Sequence, residues 1–297
     1  MKREARLKSR ASLVHPHDGH PKVLAMIDAY LDESGIHYGA KVCVIAGYFG
    51  GPRQMKKLEK SWKQVLAKFN FPMREFHAKD LIKKTMHHPM LMELARVAGQ
   101  QTKVYPVTYG VIVEDFNSFS LEQRRFMTGA TLSPFTGKLL TSGCPTKPYF
   151  APFQNIIKIV TDAAPTGGKA HFSFGLDTQF AQYAVALFKQ IIDNPPPADS
   201  AISTWKSRSR LGTAIFPLAS ETAPLQAADL LVHLSYRMMD DWRTTGKTGK
   251  SPQYIYDLLE LALINMRTRT DHVYQDKEGL QKTIDQAKFF APTWKDC

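Results

Sequence analysis

The sequence predicts an α/β fold: a mixed five-stranded sheet with helices on both faces. Three observations carry that expectation. Apolar, β-competent runs come early and close together, later runs alternate with amphipathic helical stretches, and no internal repeat or low-complexity tract intervenes. Consecutive early strands favour antiparallel pairing, whereas later strand–helix–strand connections favour parallel pairing, so the sheet is mixed.

The first strand lies in "KVLAMIDAYLD" (22–32) and the second in "KVCVIAGYFGG" (41–51), closed by Gly50, Gly51 and Pro52. The link between them is short, which predicts a hairpin. In "QMKKLEKSWKQVLAKF" (54–69), Met55, Leu58, Trp62, Val65, Leu66 and Phe69 recur at helical spacing. The polar segment "FPMREFHAKDLIKK" (71–84) leads to a helix near "PMLMELARVAGQ" (89–100), and "KVYPVTYGVIVED" (103–115) makes a third strand ending on Glu114 and Asp115. Residues 117–152 are rich in Gly and Pro and read as an insertion, with a short helix at "LEQRRFM" (121–127), that replaces or covers a substrate groove. A helix at 153–164 and the turn "PTGGK" precede a fourth strand, "AHFSFGLD" (170–177). A helix at 178–193 and a fifth strand, "GTAIFPLAS" (212–220), follow. The long helix "TAPLQAADLLVHLSYRMMDDW" (222–242) carries Pro224 in its first turn, where proline is tolerated. The organisation expected is a basic arm over 1–20, a main domain over 21–240 and a helical extension over 241–297 packed on that domain.

Composition narrows the function classes. The 297 residues are 43% hydrophobic and 11% aromatic, enough for a substantial core. Lys and Arg number 39 against 27 Asp and Glu, a formal charge of +12 that favours a polyanionic partner such as nucleic acid. Cys43, Cys144 and Cys297 are far apart with no CxxC pair, which argues against a thiolate zinc cluster and for a reducing compartment. No apolar segment approaches the ~20 residues that span a bilayer, and no apolar core follows the basic N-terminus, so a cytoplasmic protein without a membrane partner is expected. No Walker-type phosphate loop and no GxSxG elbow occurs.

The chemistry-bearing residues cluster by topology. If strands one and four lie side by side in parallel, Asp32 and Asp177 emerge together at the carboxyl edge of the sheet, where ligands of open α/β folds bind. Asp229 follows strand five on the long helix, sharing a stripe with Gln226 and His233; alternatively it sits at the helix margin and reaches water. Glu75 and His77 lie on a segment that turns over the same edge. Asp32 points towards this site, and Glu33, next along the pleat, points away or swings in at the turn. Converging carboxylates repel unless a cation joins them, and hard oxygen ligands suit Mg²⁺ or Mn²⁺, two ions of which can sit ~3.5–4 Å apart. Lys56, Lys60 and Arg74 are candidates for contacts to backbone phosphates. Trp62 and Trp205 are either stacking platforms or core.

"YLDESG", "EFHAKDL" and "PLQAADLLVHL" together resemble the three signatures of domain of unknown function family 3800, placed in the ribonuclease H-like superfamily. The resemblance runs from about residue 24 to 239. It implies the strand order 3-2-1-4-5 and metal-bound acids at Asp32, Asp177 and Asp229, with Glu33, Glu75 and His77 also on motif positions. The function expected is metal-dependent phosphodiester hydrolysis on DNA or RNA. The alternatives are a nucleic-acid- or partner-binding module whose acidic cluster is structural, and phosphoryl transfer to a nucleotide or sugar.

Overall fold

A computed structural model describes residues 26–128, 131–132, 139–140, 145–175, 180–193, 205–218, 222–246, 250–264 and 272–290. Strands β1 (Met26–Ser34) and β2 (Val42–Gly50) form the expected hairpin, pairing antiparallel with Asp32 opposite Ala46. β3 (Tyr105–Ile112) continues the meander against β2. On the other side of β1, β6 (Lys169–Phe174) runs parallel to it, and β7 (Leu211–Ile215) runs parallel to β6. Two-residue strands β4 (Thr131–Leu132) and β5 (Leu139–Leu140) form a separate small sheet within the insertion.

Alternation along the strands sorts the core into two layers. On β2, Val42, Val44, Ala46 and Tyr48 face one side, while Cys43, Ile45 and Phe49 face the other; both sets are buried, so β2 reads as a continuous apolar run. Helices α1 (Pro52–Lys68), α2 (Ala78–Leu81), α3 (His88–Arg96), α8 (Ala223–Thr245) and α9 (Gln253–Leu263) cover the Tyr48 side. On the Phe49 side lie α4 (Val113–Asn117), α5 (Leu121–Met127), α6 (Phe150–Ala163), α7 (Ala181–Asp193) and α10 (Lys277–Phe290). α1 is amphipathic as its spacing predicts, burying Met55, Leu58, Trp62, Val65 and Leu66. Trp62 is fully buried and donates its indole N–H to Gln226, so it is core and not a stacking platform. Trp205 packs, partly buried, against the other layer.

Three expectations change. The sheet has six strands, not five: the five expected strands are β1, β2, β3, β6 and β7, which lie as 3-2-1-4-5, and a sixth is added beyond β3, giving the order β7-β6-β1-β2-β3-β8. The added edge strand β8 (His272–Gln275) pairs parallel with β3 and belongs to the C-terminal segment, for which a helical extension is expected from sequence. Four residues carry too little pattern to predict a strand; the exposed edge of β3 supplies the pairing. Strand β3 also stops at Ile112, and Glu114 and Asp115 fall on the short α4 instead of a strand end. β6 stops at Phe174, short of the expected span to residue 177, and Asp177 lies outside the described residues. Among the described residues no helix is long and apolar enough to cross a membrane.

Candidate functional site

The site is built from the pleat of β1. Ile27, Ala29 and Leu31 point into the Phe49-side core, so the intervening Asp28, Tyr30 and Asp32 face the side on which α8 packs. Asp32 is half-buried near the carboxyl end of the strand. The backbone beside it is Gly175, whose N–H donates to the Leu31 carbonyl at 2.8 Å. A Cβ at Gly175 would sit 2.3 Å from Asp32 Oδ1, so the missing side chain leaves the space that the carboxylate fills.

α8 brings the second acid. Asp229 is buried in the first half of the helix, and only 12% of its side chain is exposed. Its Oδ2 accepts the Ala78 N–H at 2.8 Å and lies 3.3 Å from His77 Nδ1. Burying the carboxylate is therefore offset by two partners on the 71–84 segment. His77 remains 63% exposed, within reach of a ligand from solvent. The hydrogen bond to Asp229 holds its imidazole above the ordinary histidine range; partial burial opposes this, and the charges of Asp229, Asp80 and Asp32 add to it. Asp32, His77 and Asp229 thus share one electrostatic corner.

Gln226, one turn before Asp229, fixes the geometry. It is fully buried, accepting from Trp62 Nε1 at 3.0 Å and donating to the Met73 carbonyl at 2.7 Å. It ties α1, the 3₁₀ turn Met73–Glu75 and α8 into one unit, and that turn delivers His77 to Asp229. One turn beyond Asp229, His233 has a buried Nε2 with no hydrogen-bond partner. Burial first, then the Arg237 guanidinium, pushes its imidazole down to about 4, with Lys79 and His77 adding and Asp229 opposing. His233 is therefore a neutral imidazole at physiological pH.

The other expected residues divide. Glu33 faces away from Asp32, on the Phe49 side, where burial raises the Cys43 thiol and the charge of Glu33 adds to that shift. Glu75 is exposed on the 3₁₀ turn. Asp177 lies outside the described residues. Lys56, Lys60 and Arg74 are all exposed; their neighbours Lys63 and Lys68 are ion-paired with Glu59 and Glu93. Among the described residues no group of three or more His, Cys, Asp or Glu side chains is set to hold a metal ion. The oxygen donors Asp32 and Asp229 suit a hard divalent cation in type, and Asp229 commits one oxygen to Ala78 and His77.

One pair escaped the sequence reading. Asp28 stands opposite His171 on the adjacent parallel strand, and His171 Nδ1 lies 3.0 Å from Thr213 Oγ1. Burial raises the Asp28 carboxyl, and His171 opposes that shift. The period-two spacing of Asp28, Tyr30 and Asp32 was the available signal.

Fold and site together define an α/β protein with carboxylates and an imidazole gathered at the carboxyl end of its first strand. No family model, no curated protein and no solved structure matches the chain.

Proposed function

We propose that this chain is a metal-dependent nuclease, hydrolysing phosphodiester bonds of DNA or RNA on a ribonuclease H-like sheet, as its resemblance to family 3800 implies. The observation that carries the reading is the meeting of Asp229 and His77 on the face of β1 that bears Asp32. Three segments remote in sequence supply that corner, and two of them, β1 at Asp32 and α8 at Asp229, interrupt an apolar pattern to do so.

Mg²⁺ or Mn²⁺, held by Asp32, Asp229 and Asp177, would supply activation of the attacking water and stabilisation of the leaving oxygen. The chain's own groups do the rest. The Ala78 N–H fixes the rotamer of Asp229, and the Gly175 backbone bounds the carboxylate of Asp32. His77, polarised by Asp229 and open to solvent, orients water or accepts a proton. Lys56, Lys60 and Arg74 neutralise backbone phosphates, in keeping with the +12 charge.

A second reading has one observation in its favour. Asp229 accepts the Ala78 N–H at the start of α2, which is also what a purely structural carboxylate does. In that reading the chain binds nucleic acid or a protein partner without cleaving it. Incubating the protein with Mn²⁺ and mixed DNA and RNA substrates separates the two. The nuclease reading expects cleavage that is lost in both Asp32→Ala and Asp229→Ala. No cleavage with any substrate favours the binder, and cleavage that persists undiminished in both variants contradicts the role given to these two acids.

A further inference from the structure

One cavity bordered by described residues has neither Asp32 nor Asp229 in its lining. It lies at the same end of β1 but towards the opposite face, beneath the turn between β1 and β2, with a volume of about 470 Å³. That size falls within the range of small-ligand sites.

The cavity is held open by a turn that needs glycine. Gly35 has φ +79°, and a Cβ there would sit 1.9 Å from the Val42 carbonyl oxygen, so only glycine lets the chain leave β1 at this angle. Gly39, at φ +81°, closes the same turn. The opposite wall comes from both ends of the 117–152 insertion: Asn117 on one side, and Lys147, Pro148 and Tyr149 on the other. The insertion, expected from sequence to replace or cover a substrate groove, contributes lining to this one.

The lining has a consistent chemistry. Ile36, Val113 and Pro148 give apolar surface. Tyr149 and Phe180 stack on one another, with centroids 4.9 Å apart and planes 12° apart, and both border the cavity. Tyr38, also bordering it, is fully exposed and so free to close on a flat ligand. Lys147, His37 and Asn117 supply a cation and hydrogen-bonding groups, and no carboxylate occurs among the described lining residues. Aromatic surface beside a cation, without a competing acid, fits a planar group carrying a negative charge.

We propose that this cavity binds one nucleotide unit: a base against the aromatic wall with its phosphate towards Lys147. The unit comes either from a free mononucleotide or from the unpaired end of a nucleic-acid strand. The inference rests on the nuclease reading for its choice of ligand. Its test reads binding alone, in metal-chelating buffer, so it succeeds or fails independently of cleavage.

The four 5′-mononucleotides and short single-stranded oligonucleotides are titrated into the protein by calorimetry, using wild type, Lys147→Glu and the cavity-filling Val113→Trp. Lys147 is exposed, so Lys147→Glu keeps the fold even if Val113→Trp does not. Circular dichroism of each variant reports that directly. Wild type is expected to bind saturably, with Lys147→Glu at least about tenfold weaker, a loss of about 1.4 kcal/mol. Folded Val113→Trp is expected to lose binding. Mononucleotide binding with this pattern assigns the free ligand; binding of oligonucleotides alone, with the same pattern, assigns the strand end. Absence of saturable binding by either ligand, or affinity unchanged in Lys147→Glu, overturns the proposal.

Discussion

At the scale of single residues, Asp32 is held by what its neighbour lacks. Gly175 presents bare backbone to the carboxylate, and an added methyl would fall 2.3 Å from Oδ1. The tip of the aspartate can rotate away, so Gly175→Ala should change stability by less than about 1 kcal/mol in urea unfolding. Displacing the carboxylate by about 1 Å should nevertheless reduce Mn²⁺-dependent cleavage by about 100-fold. Unchanged cleavage would show that the position of Asp32 is not critical. His233 gives a separate prediction through pH. Its folded value, about 4, lies below the ordinary 6.5, so the unfolded chain takes up its proton first as pH falls. Stability from this group is therefore present above about 6.5 and lost as pH falls towards 4. Arg237, Lys79, His77 and Asp229 all bear on it. Urea unfolding at about pH 7 and about pH 5 should show a smaller acid loss for His233→Leu than for wild type; equal losses would rule His233 out as the source. Asp32 was legible in sequence because an acid ending an apolar strand stands out. The contact between His77 and Asp229 was only guessable, since it depends on how α8 and the 71–84 segment pack, which local pattern does not encode.

Among the elements, Gln226 does for the site what no motif announces. A glutamine in a helix otherwise read for its leucines and alanines ties a tryptophan, a 3₁₀ turn and a helix together. Gln226→Leu would leave the buried Trp62 N–H and the part-buried Met73 carbonyl without these partners. The expected cost is about 2–4 kcal/mol in urea unfolding, followed by tryptophan fluorescence, with increased exchange of backbone amides over residues 73–78. A loss below about 0.5 kcal/mol would mean the bridge is not structural. Elements with strong periodicity were legible: α1 from its apolar spacing, β2 from its unbroken run, and the hairpin from its short link. β8 was not, because its strand character comes from β3 rather than from its own four residues. The end of β3 at Ile112 was also missed. "VED" continues the apolar run by one residue, but the chain bends there into α4, with the Val113 N–H bonding to the Lys41 carbonyl at 2.9 Å.

For the whole molecule, the mixed sheet is the device that brings remote acids together. Antiparallel pairing on one side of β1 and parallel pairing on the other make β1 central, and α8 crosses its face. On the proposed function, a strongly basic chain that gathers acids at one corner would separate two tasks: broad attraction of a polyanion, and local capture of a cation. Calorimetric titration of Mn²⁺ into the protein tests that claim most directly, because it asks about the acids without requiring a known substrate. Saturable binding by wild type, abolished in Asp32→Ala and in Asp229→Ala while both variants keep their fold by circular dichroism, is the predicted result. Binding that survives both substitutions, or none in wild type, would contradict it.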